Sequence, residues 1–333
     1  MNAAATAARL FRTALRIPDY FHPRLNLERD FLFGRIGKYP ITMQAKAEYK
    51  DEMTEDSVPA IVENGGRIAQ PVMVALYGLG SHDAFLETRV ERYSMQMMHA
   101  LRWLETHHVK LGNGIGWMQK QDVLPFKLKA PWFSAIVQGL VLSLFVRAHQ
   151  MNESALWREL AHQTLLGFRV PVAEGGFSRR VANGVIYEEY PAPDLDCVFN
   201  GMCKALIGLW EAFRFGLVLD AEIDFNRGVA GLRSFLPQFD LNGWSLYSLN
   251  QCLGKPFLAS PFYHRANGLL SIVMAHLTGD SEFQLYGERW LRTGENLPRR
   301  MSVSFQTGLA RIRFGRRLAA EQVALQRPNQ EVS

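Results

Sequence analysis

Several features that would indicate a specialised class of protein are absent from this sequence. There are three cysteines, Cys197, Cys203 and Cys252, and they form no CxxC pair. An odd number of cysteines without a pairing motif indicates reduced core residues in a reducing compartment rather than a disulfide framework. The nine histidines form no HExxH motif and no other convincing ligand spacing, so we predict no catalytic metal.

The sequence also has no block of like charge. Its formal net charge is +5, and charged residues make up 21% of the 333 residues. A nucleic-acid-binding domain usually concentrates Lys and Arg more strongly than this, so we expect no nucleic-acid partner. A mild, dispersed positive excess fits a groove for an anionic polymer, such as an acidic polysaccharide.

No apolar run reaches the length of a membrane span. The strongest candidate, 130–146, carries no charge, but it contains Gln138 and Gly139 and falls short of the ~20 residues needed. We interpret it as a buried inner helix of a large domain and expect no integral membrane span. The first residues resemble an amphipathic helix rather than a secretory signal, so the expected location is the cytoplasm.

Helical periodicity dominates the sequence after residue 67. The first predicted helix begins at Pro71 and ends at Gly78 and Gly80. The other predicted helices cover 82–107, 131–149, 153–169, 195–215, 221–236, 261–278 and 281–293. The segments 112–126 and 237–257 are interpreted as loops, the first as a loop or hairpin. The segment 48–66 is interpreted as an acidic connection.

Pairs of helices with hairpins between them favour a mainly α fold. We predict an α/α toroid, an incomplete barrel of helix hairpins, with inserted β-hairpins and a small mixed N-terminal region. Strands and helices do not alternate regularly, which argues against a parallel α/β sheet. The expected parts are 1–66 (a helix and a hairpin at 31–43), a catalytic domain at 67–300, and a basic tail at 301–333.

The stretch Tyr187-Glu188-Glu189-Tyr190-Pro191 gathers two carboxylates and two phenols where a hairpin ends and a helix begins. In a regular strand, neighbouring side chains point to opposite faces. Glu189 and Tyr190 can therefore reach one ligand only if the backbone turns between them. Pro191 biases Tyr190 towards an extended conformation, which makes such a turn plausible.

A set of motifs follows in order between residues 68 and 297. The strongest pieces are PWFSAIVQGLVLSLFVRAH, GVIYEEYPAP with VFNGMCKALIGLWE, and LPQFDLNGWSLYSLN with SPFYHRANGLLSIVMAHLTGDSEF. In this order the motifs resemble those of the glucuronyl C5-epimerases. The resemblance implies inversion at C5 of D-glucuronate units inside a polysaccharide, giving L-iduronate. It implies Tyr190 and Tyr263 as acid and base, with Glu189 beside the first. No cofactor is needed, and the GNGIG at 112–116 is not a dinucleotide fingerprint.

The resemblance also implies substrate-binding residues. Tyr247 matches a family tyrosine, but Asn250 replaces the arginine that follows it in the family. A cation that could hold the uronate carboxylate is thereby lost, and Arg67 or one of the arginines below could compensate. The further candidates for substrate contact are His264, Arg265, Glu188, Arg179, Arg180 and Tyr77. For Glu188 the competing interpretation is a salt bridge on the hairpin, and for Tyr77 it is core packing.

The sequence leaves other functions open. A uronate lyase begins with the same C5 deprotonation, and a glycoside hydrolase on the same fold would use two carboxylates. A non-catalytic glycan-binding protein is a third alternative, which the change to Asn250 favours and the intact Tyr190, Glu189 and Tyr263 oppose. The expected partner in each case is a glucuronate-containing polysaccharide, with a homodimer as one option for the oligomeric state.

Overall fold

The computed structural model describes residues 23–27, 36–63, 65–123, 126–250 and 256–308. Within these ranges, helices follow one another in pairs, with short strands between the pairs. The helices are α1 (Pro71–Thr88), α2 (Glu91–His107), α3 (Ala135–Asn152), α4 (Ala155–Phe168), α5 (Phe199–Arg214), α6 (Ala221–Phe235), α7 (Pro261–Thr278) and α8 (Ser281–Gly294). Residues 297–308 are also helical, where the sequence predicted a tail from residue 301.

The first helix of each pair belongs to an inner row. In this row α3 packs against α1 and α5, and α5 packs against α7, while α2, α4, α6 and α8 each pack on the preceding inner helix. Inner helices contact neighbours on most sides, which is why α3 is buried continuously from Ala135 to Ala148. The arrangement confirms the predicted incomplete α/α barrel. No helix in the described ranges is long and apolar enough to cross a membrane.

The predicted end of the first helix at Gly78 and Gly80 is wrong, because α1 continues to Thr88. A Cβ at Gly78 would lie 2.6 Å from Leu144 Cδ2, and one at Gly80 would lie 2.5 Å from the Met43 carbonyl oxygen. Both glycines therefore permit close packing inside a helix instead of stopping it. The break falls at Arg89, whose φ of 58° reverses the chain before α2.

Short antiparallel strands precede each inner helix. Their bounds are β1 (Ala60–Glu63), β2 (Gly66–Ala69), β3 (Val109–Leu111), β4 (Gly114–Gly116), β5 (Ser178–Val181), β6 (Gly184–Tyr187), β7 (Asp240–Leu241), β8 (Trp244–Ser248) and β9 (Phe257–Leu258). Because the inner helices run in one direction, the strands that lead into them gather at one end of the barrel. This topology brings the segments that carry the candidate catalytic residues to the same end of the barrel.

Two sequence interpretations of loops differ from the structure. Strands β1 and β2 form a hairpin where the sequence predicted an acidic connection, and β7, β8 and β9 form a sheet where it predicted a loop. The predicted hairpin at 31–43 lies partly outside the described residues. Its described part contains an isolated bridge from Ile41 to Leu25. The predicted leading helix falls almost wholly outside the described residues.

A buried ion pair joins two inner helices at the core. The Arg147 guanidinium on α3 and the Glu211 carboxylate on α5 meet at 2.7 Å and 2.9 Å, and both side chains are fully buried. The paired geometry is bidentate, which is the strong form of this interaction. Cys197 and Cys203 are buried free thiols, as predicted, and Cys252 lies outside the described residues.

Candidate active site

The backbone bends directly after β6, at Glu189 and Tyr190. The start of α3 holds this bend, because Ser134 Oγ donates to the Glu189 carbonyl oxygen at 2.7 Å and the Ala135 amide donates to the Glu188 carbonyl oxygen at 3.0 Å. The bend removes the alternation of a regular strand. Glu189 and Tyr190 therefore face the same cluster, which the sequence made conditional on such a turn.

Three phenols surround the Glu189 carboxylate at the barrel end. Tyr190 donates a hydrogen bond to this carboxylate, and the Tyr247 hydroxyl lies 3.4 Å from Glu189 Oε1 and also bonds to Tyr190. Tyr263 lies at the first turn of α7, with its ring centroid 4.9 Å from that of Tyr247. All three tyrosines are half-buried, so a ligand can reach them. We call these four residues the tyrosine cluster.

Aromatic side chains that the sequence did not single out line the cluster. The Phe126 ring stacks on Tyr190 with centroids 4.3 Å apart, and Trp132 lies 5.6 Å from the same ring. Phe257 lies 5.1 Å from Tyr247. Flat apolar faces beside polar groups suit the binding of a sugar ring, which has both kinds of surface. The sequence signal for this wall was limited to aromatic residues at the ends of two predicted loops, Phe126 and Phe257, and at the start of a predicted helix, Trp132.

Burial controls the protonation of the cluster. It raises the pKa of Glu189, and the nearby Lys204 ammonium partly offsets this effect on the carboxylate pKa. Burial and the Glu189 charge raise the pKa values of Tyr190 and Tyr247 well above their usual range. Both phenols are therefore protonated at neutral pH. Each can act as a base only by giving up its proton to a neighbour as it takes another.

The opposite side of the Glu189 carboxylate lies against the first turn of α5. A Cβ at Gly201 would lie 2.3 Å from Glu189 Oε2, so only glycine allows this approach. Among the described residues, Glu189 Oε2 and the neighbouring Asn200 Nδ2 are buried without a hydrogen-bond partner. Buried polar atoms are normally paired. Because Asn200 directly precedes Gly201, these two atoms mark the start of α5 as a candidate place for a polar ligand.

Glu188 has a structural position rather than one facing the tyrosine cluster. Its buried carboxylate pairs with Arg179 Nε at 2.8 Å and accepts from the Cys197 amide at 2.8 Å. Arg179 also donates to the Ala192 carbonyl oxygen at 2.6 Å, so it braces the segment after the bend. These contacts support the salt-bridge interpretation of Glu188. Arg180 is exposed on the same strand.

The remaining predicted binding residues make contacts with other protein groups. The Asn250 side chain bonds to Asp196, and the buried His264 stacks on Trp244 at 3.8 Å while its Nδ1 accepts from the Ser245 amide. Arg265 pairs with Glu295 at 3.8 Å, and the exposed Arg67 with Glu52 at 2.7 Å. Tyr77 is buried beside Gln96, and burial raises its pKa to about 12. Packing, hydrogen bonds and ion pairs within the protein thus engage these side chains, and their role as substrate ligands stays a prediction.

A surface groove lies outside the tyrosine cluster in the described ranges, and those ranges contain no candidate metal site. A surface groove of about 860 Å³ runs between the β1–β2 hairpin and the end of α2, lined by Glu52, Trp103, His107 and Lys120 among others. It contains no residue of the tyrosine cluster. Within the described residues, no group of three His, Cys, Asp or Glu side chains could hold a metal ion.

Comparison with known proteins identifies related sequences over the same region. The profile of the family described as "D-glucuronyl C5-epimerase C-terminus" matches residues 114–292, which include the whole tyrosine cluster. A D-glucuronyl C5-epimerase of Caenorhabditis elegans is 27% identical over 221 residues, covering 61% of this chain and 35% of that protein. An uncharacterised protein of Methanocaldococcus jannaschii is 23% identical over 180 residues, covering 53% of this chain and 57% of that protein.

The matches cover about a third to just over half of these relatives' length. Among solved structures, a D-mannose isomerase is similar with a TM-score of 0.49 and 10% identity, over 67% of this chain and 59% of that one. A similarity at this level does not indicate what the chain acts on.

Proposed function

This chain belongs to the D-glucuronyl C5-epimerase family, and on that premise we propose that it inverts C5 of D-glucuronate units in a polysaccharide, giving L-iduronate. The observation that carries the proposal is the convergence of Glu189 with Tyr190, Tyr247 and Tyr263 at one end of the barrel. Each is half-buried or buried; Glu189 and Tyr190 come from the bend after β6, Tyr247 from β8 and Tyr263 from α7. The family relationship supports the reaction type, and the cluster supplies groups for it.

The reaction needs a proton acceptor on one face of the sugar and a donor on the other. We assign the acceptor to Tyr190. As its oxygen takes the C5 proton, its own hydroxyl proton passes to the Glu189 carboxylate, to which it is already hydrogen-bonded. This coupled transfer avoids a free phenolate, which the raised pKa of Tyr190 disfavours.

Tyr263 is assigned as the donor on the other face, where it gives its hydroxyl proton to C5. Its contact with Tyr247 places a second hydroxyl-bearing side chain beside it. The proton lost and the proton gained come from different groups. Both groups return to their starting state by exchange with water, so each inversion introduces a solvent hydrogen at C5.

The test is incubation with heparosan in D₂O, with C5 followed by NMR. We expect deuterium at C5 together with new iduronate signals. Unsaturated uronate, seen by its ultraviolet absorbance, would identify a lyase, and reducing ends without that absorbance would identify a hydrolase. A folded protein that exchanges C5 on no glucuronate polymer would contradict the proposal.

Removing either phenolic hydroxyl tests the two assignments. We expect Tyr190→Phe and Tyr263→Phe each to lower the exchange rate at least about 100-fold, the usual contribution of a positioned acid or base. Tyr286→Phe on the outer helix α8 is the matched control, because its ring packs near Trp290 and not at the cluster. Near-normal exchange in both site variants would move the acid and base roles to other residues.

A further inference from the structure

Lys204 is a charged residue in an otherwise apolar stretch of an inner helix. It lies in the second turn of α5, within the sequence FNGMCKALIGLW, and its side chain is half-buried. Residues three apart lie on the same side of a helix. Lys204 therefore shares a side with Gly201, whose Cα lies against the Glu189 carboxylate. Neither the motif resemblance nor the spacing pointed to this lysine.

The lysine faces the tyrosine cluster without a direct ion pair. Within the described ranges, no carboxylate oxygen lies within the 4.0 Å of an ion pair from its ammonium, yet Lys204 and Glu189 each shift the other's pKa. Asn200 directly precedes Gly201 on α5, and Gly201 lies against the Glu189 carboxylate. Among the described residues, Glu189 Oε2 and Asn200 Nδ2 are buried without a hydrogen-bond partner, and both side chains are more than nine-tenths buried. The start of α5 thus brings the Lys204 ammonium and the Asn200 amide to the side of the helix region that lies against Glu189, and these groups can still accept a polar ligand.

The other cations near the cluster are occupied. Arg179 is paired with Glu188, and Arg265 with Glu295. Asn250, at the position of the family's arginine, bonds to Asp196. Deprotonation at C5 places growing negative charge on the carboxylate of the sugar, so that carboxylate needs a cation or donors.

We propose that Lys204, with the Asn200 amide beside it, binds the carboxylate of the uronate unit whose C5 reacts. This inference rests on the proposed function. It assigns to α5 the cation that the sequence lacks at Asn250. In this arrangement the sugar ring lies over Tyr190 and Tyr263, and its carboxylate points towards the second turn of α5.

The site should weaken as the pH rises. The pKa of Lys204 is lowered to about 8, chiefly by burial and also by the charge of Lys46, while the Glu189 charge and Cys203 act in the opposite direction. Lys46 lies exposed in the one-turn helix Gln44–Lys46, which packs on α1. As the pH passes the pKa of Lys204, its ammonium loses its charge, so KM for an anionic substrate should increase from about that pH upward.

The experiment compares Lys204→Met, Lys204→Arg and the control Lys110→Met, which removes the same charge from the exposed side of β3. We measure C5 exchange on a heparosan oligosaccharide of defined length, and its binding by titration calorimetry. Lys204→Met should lower kcat/KM by about 100-fold and weaken binding at least tenfold, the usual range for a charged hydrogen bond. Lys204→Arg should keep most binding and move the alkaline rise in KM to higher pH.

The two measurements separate this inference from the function it rests on. Equal binding and equal KM in wild type and Lys204→Met would overturn the carboxylate assignment while leaving the epimerase proposal intact. The carboxylate assignment would also be overturned if Lys204→Arg lost turnover as completely as Lys204→Met while KM stayed unchanged in both. That result would indicate that Lys204 transfers a proton. If the wild type binds the oligosaccharide but does not exchange C5, the epimerase proposal is contradicted. In that case, weaker binding by Lys204→Met than by the Lys110→Met control still supports the carboxylate site. A wild type that neither binds nor exchanges overturns both.

Discussion

A single methyl group at Gly201 should separate activity from folding. The added Cβ would lie 2.3 Å from Glu189 Oε2 and 2.7 Å from Glu189 Cβ. Ordinary contacts of this kind are 3.4 Å or longer. The Glu189 side chain, or the start of α5, must therefore shift by about 1 Å, and the close Cβ contact prevents a simple rotation of the carboxylate from relieving it.

The size of each effect follows from this geometry. A misplacement of about 1 Å in a catalytic group costs about 100-fold in rate. Overpacking costs about 1–3 kcal/mol of stability, while replacing glycine by alanine in a helix returns about 1 kcal/mol. Gly201→Ala should therefore lose C5 exchange by about two orders of magnitude, with the free energy of unfolding lowered by about 0–2 kcal/mol.

The assay measures C5 deuterium exchange on heparosan together with urea unfolding of the same preparation. Gly66→Ala is the control, because a Cβ there meets nothing closer than the Glu63 carbonyl oxygen at 3.7 Å. It should change neither measurement. The reasoning is refuted if Gly201→Ala exchanges at the wild-type rate, or if its activity falls only in proportion to the fraction unfolded.

Two further predictions concern buried charge. Glu211→Gln leaves the fully buried Arg147 without its counter-charge, and urea unfolding should show a loss of about 3–5 kcal/mol. Glu87→Gln removes the exposed carboxylate of the Lys38–Glu87 pair at the surface and should cost less than about 1 kcal/mol. Similar losses in both variants would contradict the argument. Burial raises the pKa of Asp196 to about 8, so the folded protein holds this proton more tightly than the unfolded chain. The free energy of unfolding should therefore fall as the pH rises from 4 to about 8. Asp196→Asn should remove a few kcal/mol of that fall, measured by unfolding curves across pH. An unchanged slope in this variant would place the pKa of Asp196 near its ordinary value.

Helix content and pairing could be predicted because they depend on local pattern. Periodicity and Pro or Gly signals placed α7 at its observed bounds and α3 to α6 within a few residues. The same signals failed at Gly78 and Gly80, where a glycine serves packing against Leu144 and Met43. A glycine that ends a helix cannot be told from a glycine that allows close packing inside one by its own sequence. The packing residue that would distinguish them is distant along the chain.

The candidate site could be predicted in part. Tyr190, Glu189, Tyr247 and Tyr263 were found by their motifs, and the structure brings them together. His264 and Arg265 were expected beside Tyr263 because they follow it in sequence. A helix sends consecutive side chains in different directions, so these two face Trp244 and Glu295 instead.

The sequence by itself determined the fold class, the family resemblance and the identity of the phenols and the acid at the proposed centre. These depend on residue type and local order, which the chain carries directly. Only the tertiary structure decided that the backbone bends at Glu189, that Glu188 is a brace, and that Lys204 faces the cluster from α5. The physical reason is that burial and proximity set the direction and protonation of each side chain, and both arise from contacts between distant segments.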